Sequence, residues 1–166
     1  MNVFKFGGAS VKDAAGVRNI HNVLEATGES ALVIVVSAMG KTTNALEGVV
    51  TAYLEASPGL DAKITQVYDT HWTLAQELFS ESSHPIFKEM TDLFRQLRTF
   101  MEGNTSRQHA FVYDQIVPYG ELLSTAIVVH YLKDQGAIAR WIDVRDFIKT
   151  DASYREAQVD WEATQL

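Results

Sequence analysis

Cysteine is absent from the 166 residues, so neither a disulfide framework nor thiolate chemistry is open to the chain. Proline is scarce, and its three copies, Pro58, Pro85 and Pro118, all fall where helical patterns stop or break. Long apolar runs are missing: the longest, Ala31 to Val36, is far below the roughly 18 residues of a membrane span. No apolar segment of the signal-peptide kind precedes the first glycines, and a cytoplasmic location is expected. Positive charge is the minority sign, 14 Lys and Arg against 21 Asp and Glu, for a formal charge of -7. That balance argues against nucleic acid or an anionic membrane as the main partner, but allows a small anion in one local pocket. His21, His71, His84, His109 and His130 lack metal-ligand spacing, and no Gly-x-Ser-x-Gly elbow occurs. Solvated or helix-face positions are expected for all five.

What is present is the composition of an ordinary globular domain, 46% hydrophobic and 21% charged. The length suits one domain with its own core. Residues 2–6 read as a strand, and a helix of about 14 residues follows with Val17, Ile20, Val23 and Leu24 on one face. Thr27-Gly28 ends it. Ala31 to Val36 is β-branched without alternation, which predicts a strand covered on both faces in a parallel sheet. These pieces make a βαβ unit, whose right-handed crossover brings the loops after both strands to one sheet edge.

A second helix carries Leu46, Val49, Val50, Tyr53 and Leu54 inward, with Thr42 or Thr43 as its N-cap. Ile64, Val67, Tyr68, Trp72, Ala75 and Leu78 mark a third, and Phe87, Met90, Leu93, Phe94, Leu97 and Met101 a fourth. This block, about 60–118, interrupts the alternation and reads as an insertion beside the sheet. A helix starting near Ser106 must break at Pro118 and Gly120, and Leu122 to Leu132, apolar nearly all round, predicts a buried helix. Ala137 to Ile142 reads as a further strand, with Asp143 to Asp146 as its exit loop. Trp141 and Trp161 are expected to be core and lid aromatics. From Trp161 to Leu166 the chain reads as the opening turns of a helix without a stop signal, and a truncated chain is expected.

Three stretches carry chemistry. Val3 to Ser10 is a strand with a lysine in it that ends in Gly7-Gly8-Ala9-Ser10, where bare backbone can approach an anion closely. Lys5 is either a partner for that anion or a lysine guarding a sheet edge. Gly40-Lys41-Thr42, between a strand and a helix, invites comparison with a P-loop, but that motif needs another glycine at the position held by Val35. What remains is a strand–loop–helix corner bearing the hydroxyls of Ser37, Thr42 and Thr43, able to hold an anion or simply to cap a helix. Gly120-Glu121 places a carboxylate at the head of an apolar helix, where it needs a cation or several donors.

Taken in order, Lys5-Phe6-Gly7-Gly8-Ala9-Ser10, Val35 to Asn44, Tyr119-Gly120-Glu121-Leu122-Leu123-Ser124, and Trp141-Ile142-Asp143-Val144-Arg145 with Ile148-Lys149-Thr150-Asp151 resemble aspartokinases, of the amino-acid kinase superfamily. Ala9 departs from the family's usual threonine. The resemblance implies an α/β fold, a three-layer αβα sandwich with a mostly parallel sheet and a helical insertion. Residues 1–166 would be the N-terminal portion of the catalytic domain, without its second half or ACT-type regulatory domains. It implies transfer of the ATP γ-phosphoryl group to the side-chain carboxylate of L-aspartate. Lys5 would stabilise the transferring group, with Gly7, Gly8, Ser10 and Ser37 along the phosphate path. Thr43 and Glu121 would bind aspartate, Mg2+ would bridge the nucleotide phosphates, and the full-length enzyme would be a homo-oligomer. Alternatives are a kinase acting on glutamate or acetylglutamate, and a P-loop-type nucleotide binder around Gly40-Lys41-Thr42.

Overall fold

The structure, a computed structural model, describes residues 2–28 and 31–164. Strand β1 (Asn2–Phe6) leads through the glycine turn into helix α1 (Ala14–Thr27), and strand β2 (Leu32–Val36) returns parallel to β1. The start of α1 is set by Asp13, whose side chain accepts the Gly16 N–H at 2.8 Å. Its end is set by Gly28, at φ 62° in the left-handed region. This is the expected βαβ unit. The register runs from Asn2 opposite Leu32 to Phe6 opposite Val36, so paired residues share a face.

That register corrects one expectation. Phe6, Ile34 and Val36 face the helices and join the core, but Val3, Val33 and Val35 on the other face are 62%, 40% and 45% exposed. Lys5 lies on the same open face. β2 is therefore covered on one side only, the face of Ile34 and Val36, where α6 packs against it.

Four further helices surround α2 (Thr42–Leu54): α3 (Leu60–Leu78), α4 (Pro85–Gly103), α5 (His109–Ile116) and α6 (Tyr119–Asp134). α3 packs on α2 and α4 on α6, so the helical block leans on other helices more than on the sheet. Tyr68, Trp72, Phe87 and Phe94 interlock between α3 and α4, with ring centroids 4.8 to 5.1 Å apart. α6 is buried almost all round, as its sequence predicts. Among the described residues no helix is long and apolar enough to cross a membrane.

Other expectations need correcting. α2 begins directly at Thr42 after Lys41, and no side chain caps it. α5 starts at His109 because Asn104 and Ser106 bond each other in a preceding turn; Pro118 then separates it from α6. Ala137 to Ile142 is not a strand, since no sheet strand is available beside it and Ile138 stands fully in solvent. The following residues make a short 3-10 turn, Val144–Asp146, headed by Asp143. Trp161 is 78% exposed and so not a core aromatic, and Trp141 is tethered at the surface by donating its Nε1–H to Thr125 Oγ1 at 2.9 Å. Residues 161–164 form a turn, while Gln165 and Leu166 lie outside the described residues. His71 is fully buried on one face of α3, so of the solvated and helix-face positions expected it takes the second.

Candidate active site

At the carboxyl edge of the strands the first two chemistry-bearing loops are joined by backbone. Ser37 donates its N–H to Phe6 O at 3.0 Å, carrying the ladder one step beyond the strands, and Gly40 N–H reaches Gly8 O at 3.0 Å. Gly8 is needed for that approach: a Cβ there would stand 2.7 Å from the Ala38 carbonyl oxygen. At Gly7 a Cβ would meet nothing within 4 Å, so this face of the turn is open to a ligand. The turn itself is closed by Ser10 N–H on Gly7 O at 2.8 Å, leaving the exposed Ser10 hydroxyl as its polar contribution. Val11, fully buried just beyond, anchors the turn in the core.

The third stretch arrives from α6. Ala38 N–H donates to Glu121 Oε1 at 3.3 Å, and Ser124 Oγ donates to Ser37 O at 2.8 Å. Gly120 permits this contact, since a Cβ on it would press within 3.0 Å of Ala38 Cβ and 3.2 Å of Thr42 Cγ2. Glu121 is half-buried, less enclosed than its apolar surroundings in the sequence suggested. Its position in the first turn of α6 sets a carboxylate at the positive end of the helix dipole. The fourth stretch braces the same turn: Thr125 Oγ1 accepts from Trp141, and donates to Glu121 O at 2.7 Å. Asp143 is held below the usual carboxylate range by the Arg145 guanidinium it pairs with at 2.6 Å.

Gly7, Gly8, Ser37 and Glu121 are thus brought to one edge, with the half-buried Thr43 in the first turn of α2 beside them. Lys5 is different. Its exposed side chain leaves the open face of the sheet, and no ion pair joins it to Glu121. Among the described residues no group of three or more His, Cys, Asp or Glu side chains could hold a metal.

Sequence reasoning assigned no role to Ser124 or His71, and read Thr42 only as a helix cap or an anion-holding hydroxyl. Ser124 lies three residues after Glu121, a helical spacing that puts both on one side and could have revealed it. Thr42 and His71, both buried, face each other with Thr42 Oγ1 3.4 Å from His71 Nε2. Nothing in the local sequence around His71 announces that.

A sequence model described as the amino acid kinase family matches residues 1–164. The chain is 33% identical over 157 residues to aspartokinase 2, chloroplastic, of Arabidopsis thaliana, a match covering 90% of this chain and 28% of that protein. Against lysine-sensitive aspartokinase 3 of Escherichia coli (strain K12) it is 26% identical over 158 residues, 95% of this chain and 34% of that one. The crystal structure of E. coli aspartokinase III in complex with aspartate and ADP (R-state) is similar with a TM-score of 0.82 at 25% identity, covering 99% of this chain and 36% of that one. The chain therefore spans about a third of the length of these relatives, 28% to 36%. The likeness in structure extends the expected αβα architecture over nearly every residue. With the family model covering all but the last two residues and the glycine turn, the Ser37 loop and the head of α6 meeting at one sheet edge, the chain belongs to the amino acid kinase family.

Proposed function

We propose that these residues serve an aspartate kinase, transferring the γ-phosphoryl group of ATP to the side-chain carboxylate of L-aspartate to give 4-phospho-L-aspartate, the opening step of aspartate-family amino-acid biosynthesis. The observation that carries this reading is the Glu121 carboxylate bonded to Ala38 N–H at the edge where the glycine turn opens. That arrangement offers an acid for a substrate ammonium next to backbone suited to phosphate. The relatives point the same way, since one is a structure holding aspartate and ADP. On this reading residues 1–166 form the N-terminal portion of a kinase domain with its helical insertion at about 60–118, in a cytoplasmic, homo-oligomeric enzyme. The relatives' remaining length would complete the nucleotide pocket.

The chemistry suits the residues. A side-chain carboxylate, with an ordinary pKa of about 3.9, is already the nucleophile at neutral pH, so no general base is required. One carboxylate oxygen attacks the γ-phosphorus, the bond to the bridging oxygen breaks, and ADP leaves with that electron pair. The protein's task is alignment and charge neutralisation. Gly7, Gly8, Ser10 and Ser37 line the phosphate path, and Lys5 supplies a cation to the transferring group by turning from the open face toward the carboxyl edge. Thr43 and Glu121 hold aspartate, Glu121 through the ammonium. Mg2+, when bound with the nucleotide, would supply charge neutralisation to the phosphates.

The test is ADP release by the full-length protein carrying these residues, with aspartate, glutamate and acetylglutamate offered in turn. Aspartate alone should support turnover, and Lys5→Ala should lower kcat by about 100-fold or more while Lys41→Ala leaves nucleotide binding intact. Preference for another acid, or loss of binding only with Lys41→Ala, would reject the assignment. The 166-residue chain alone is expected to show no turnover, an expectation that aspartate-dependent ADP release from it would refute.

A further inference from the structure

His71 is one of the largest fully buried side chains and the proposed chemistry makes no use of it. It sits on α3, inside the helical block, yet its ring spans to the head of α2. Nδ1 lies 2.8 Å from Val67 O, a carbonyl that can only accept, so Nδ1 carries the proton. Nε2 is then a lone-pair acceptor, and the group facing it is the buried Thr42 hydroxyl at 3.4 Å. Burial pushes the imidazole below its ordinary value and keeps it neutral, while the Val67 carbonyl opposes that shift. α2 faces the ring with Thr42 and α3 with Val67, and among the described residues no ion pair includes it.

Thr42 is well placed to transmit this contact. Its N–H bonds Met39 O at 3.0 Å, its methyl group stands 3.2 Å from where a Cβ on Gly120 would lie, and the next residue is Thr43. We propose that His71 is a positioning residue for the site: as the Nδ1–H tautomer it accepts the Thr42 hydroxyl proton, pinning the first turn of α2 and the Ser37–Lys41 loop against the turns at Gly8 and Gly120. The helical block thereby braces the place where Thr43 and Glu121 meet the substrate. The kinetic part of this inference rests on the aspartate-kinase reading; the structural part stands without it.

Long-range 1H–15N NMR on the 166-residue chain reads the tautomer directly. His71 should show the Nδ1–H pattern and stay neutral through the ordinary imidazole range near about pH 6.5. Three variants separate the contact from mere packing: His71→Gln, which keeps an acceptor near the Nε2 position, His71→Asn, which mimics Nδ1 only, and Thr42→Val, which removes the hydroxyl. Amide signals of Ser37–Thr43 and Glu121 should shift in His71→Asn and Thr42→Val and return in His71→Gln. In the full-length protein the KM for aspartate should rise about five-fold in the first two, the loss expected of one neutral hydrogen bond, with kcat near wild type and His71→Gln restored. An Nε2–H tautomer in the wild type, or equal behaviour of His71→Gln and His71→Asn, overturns the proposal. Should His71→Asn fail to fold, Thr42→Val carries the same comparison. Absence of phosphotransfer in the wild type would defeat the functional reading instead, and the NMR arms would still decide the role of His71.

Discussion

A methyl group added at Gly8 would stand 2.7 Å from the Ala38 carbonyl oxygen, whereas one added at Gly7 would meet nothing within 4 Å. The two neighbours therefore separate packing from binding. Gly8→Ala should destabilise the fold by about 1–3 kcal/mol through overpacking, read as a lowered urea midpoint. Gly7→Ala should stay within about 0.5 kcal/mol of wild type in the same measurement, yet weaken nucleotide binding by crowding the open face of the turn. Equal losses of stability would mean that the turn is packed on both sides. At this scale the sequence was informative about Gly7, Gly8 and Glu121, because glycine pairs and a carboxylate in an apolar helix each break a local pattern. It was silent about His71, which breaks none.

Between elements, α4 and α6 are joined by a contact that titrates. His130 Nε2 on α6 lies 2.8 Å from Glu89 Oε2 on α4, and that hydrogen bond, opposed by desolvation, holds the Glu89 carboxyl below its usual range. A depressed acid binds fewer protons in the folded state than in the unfolded one, so its contribution is present above the unfolded value of about 4.5 and is lost as pH falls through the folded one. The thermal midpoint should fall below about pH 4.5, less steeply in Glu89→Gln, by scanning calorimetry. Parallel slopes for the two proteins would remove Glu89 from the account. His84 meets the same surface, with its Nδ1 accepting Ile86 N–H at 3.2 Å and its ring 5.4 Å from that of His130. Amphipathic spacing revealed each helix but not these pairings, which depend on how the helices are turned against one another.

For the molecule as a whole, the consequential feature is a sheet covered on one side. Val35→Thr, on the open face, should change unfolding free energy by less than about 0.5 kcal/mol, while Ile34→Ala, one residue earlier and turned to the core, should cost about 2 kcal/mol. Chemical denaturation of the two variants checks the facing directly, and a reversed order would mean a register slipped by one. An apolar strand face in water also favours self-association, so light scattering of the 166-residue chain should fall in Val35→Thr.

The sequence by itself determined the βαβ start, the existence and approximate limits of the six α-helices among the described residues, and the three stretches that meet at one sheet edge. Each follows from local physics: β-branched runs, helical periodicity, glycines at turns. Only the tertiary structure decided which faces are covered, that Ala137 to Ile142 has no sheet strand to join, that α2 starts without a side-chain cap, and that His71 reaches Thr42. These depend on partners distant in the chain, and a strand, a buried ring or a cap is defined by the atoms it meets rather than by its own residues.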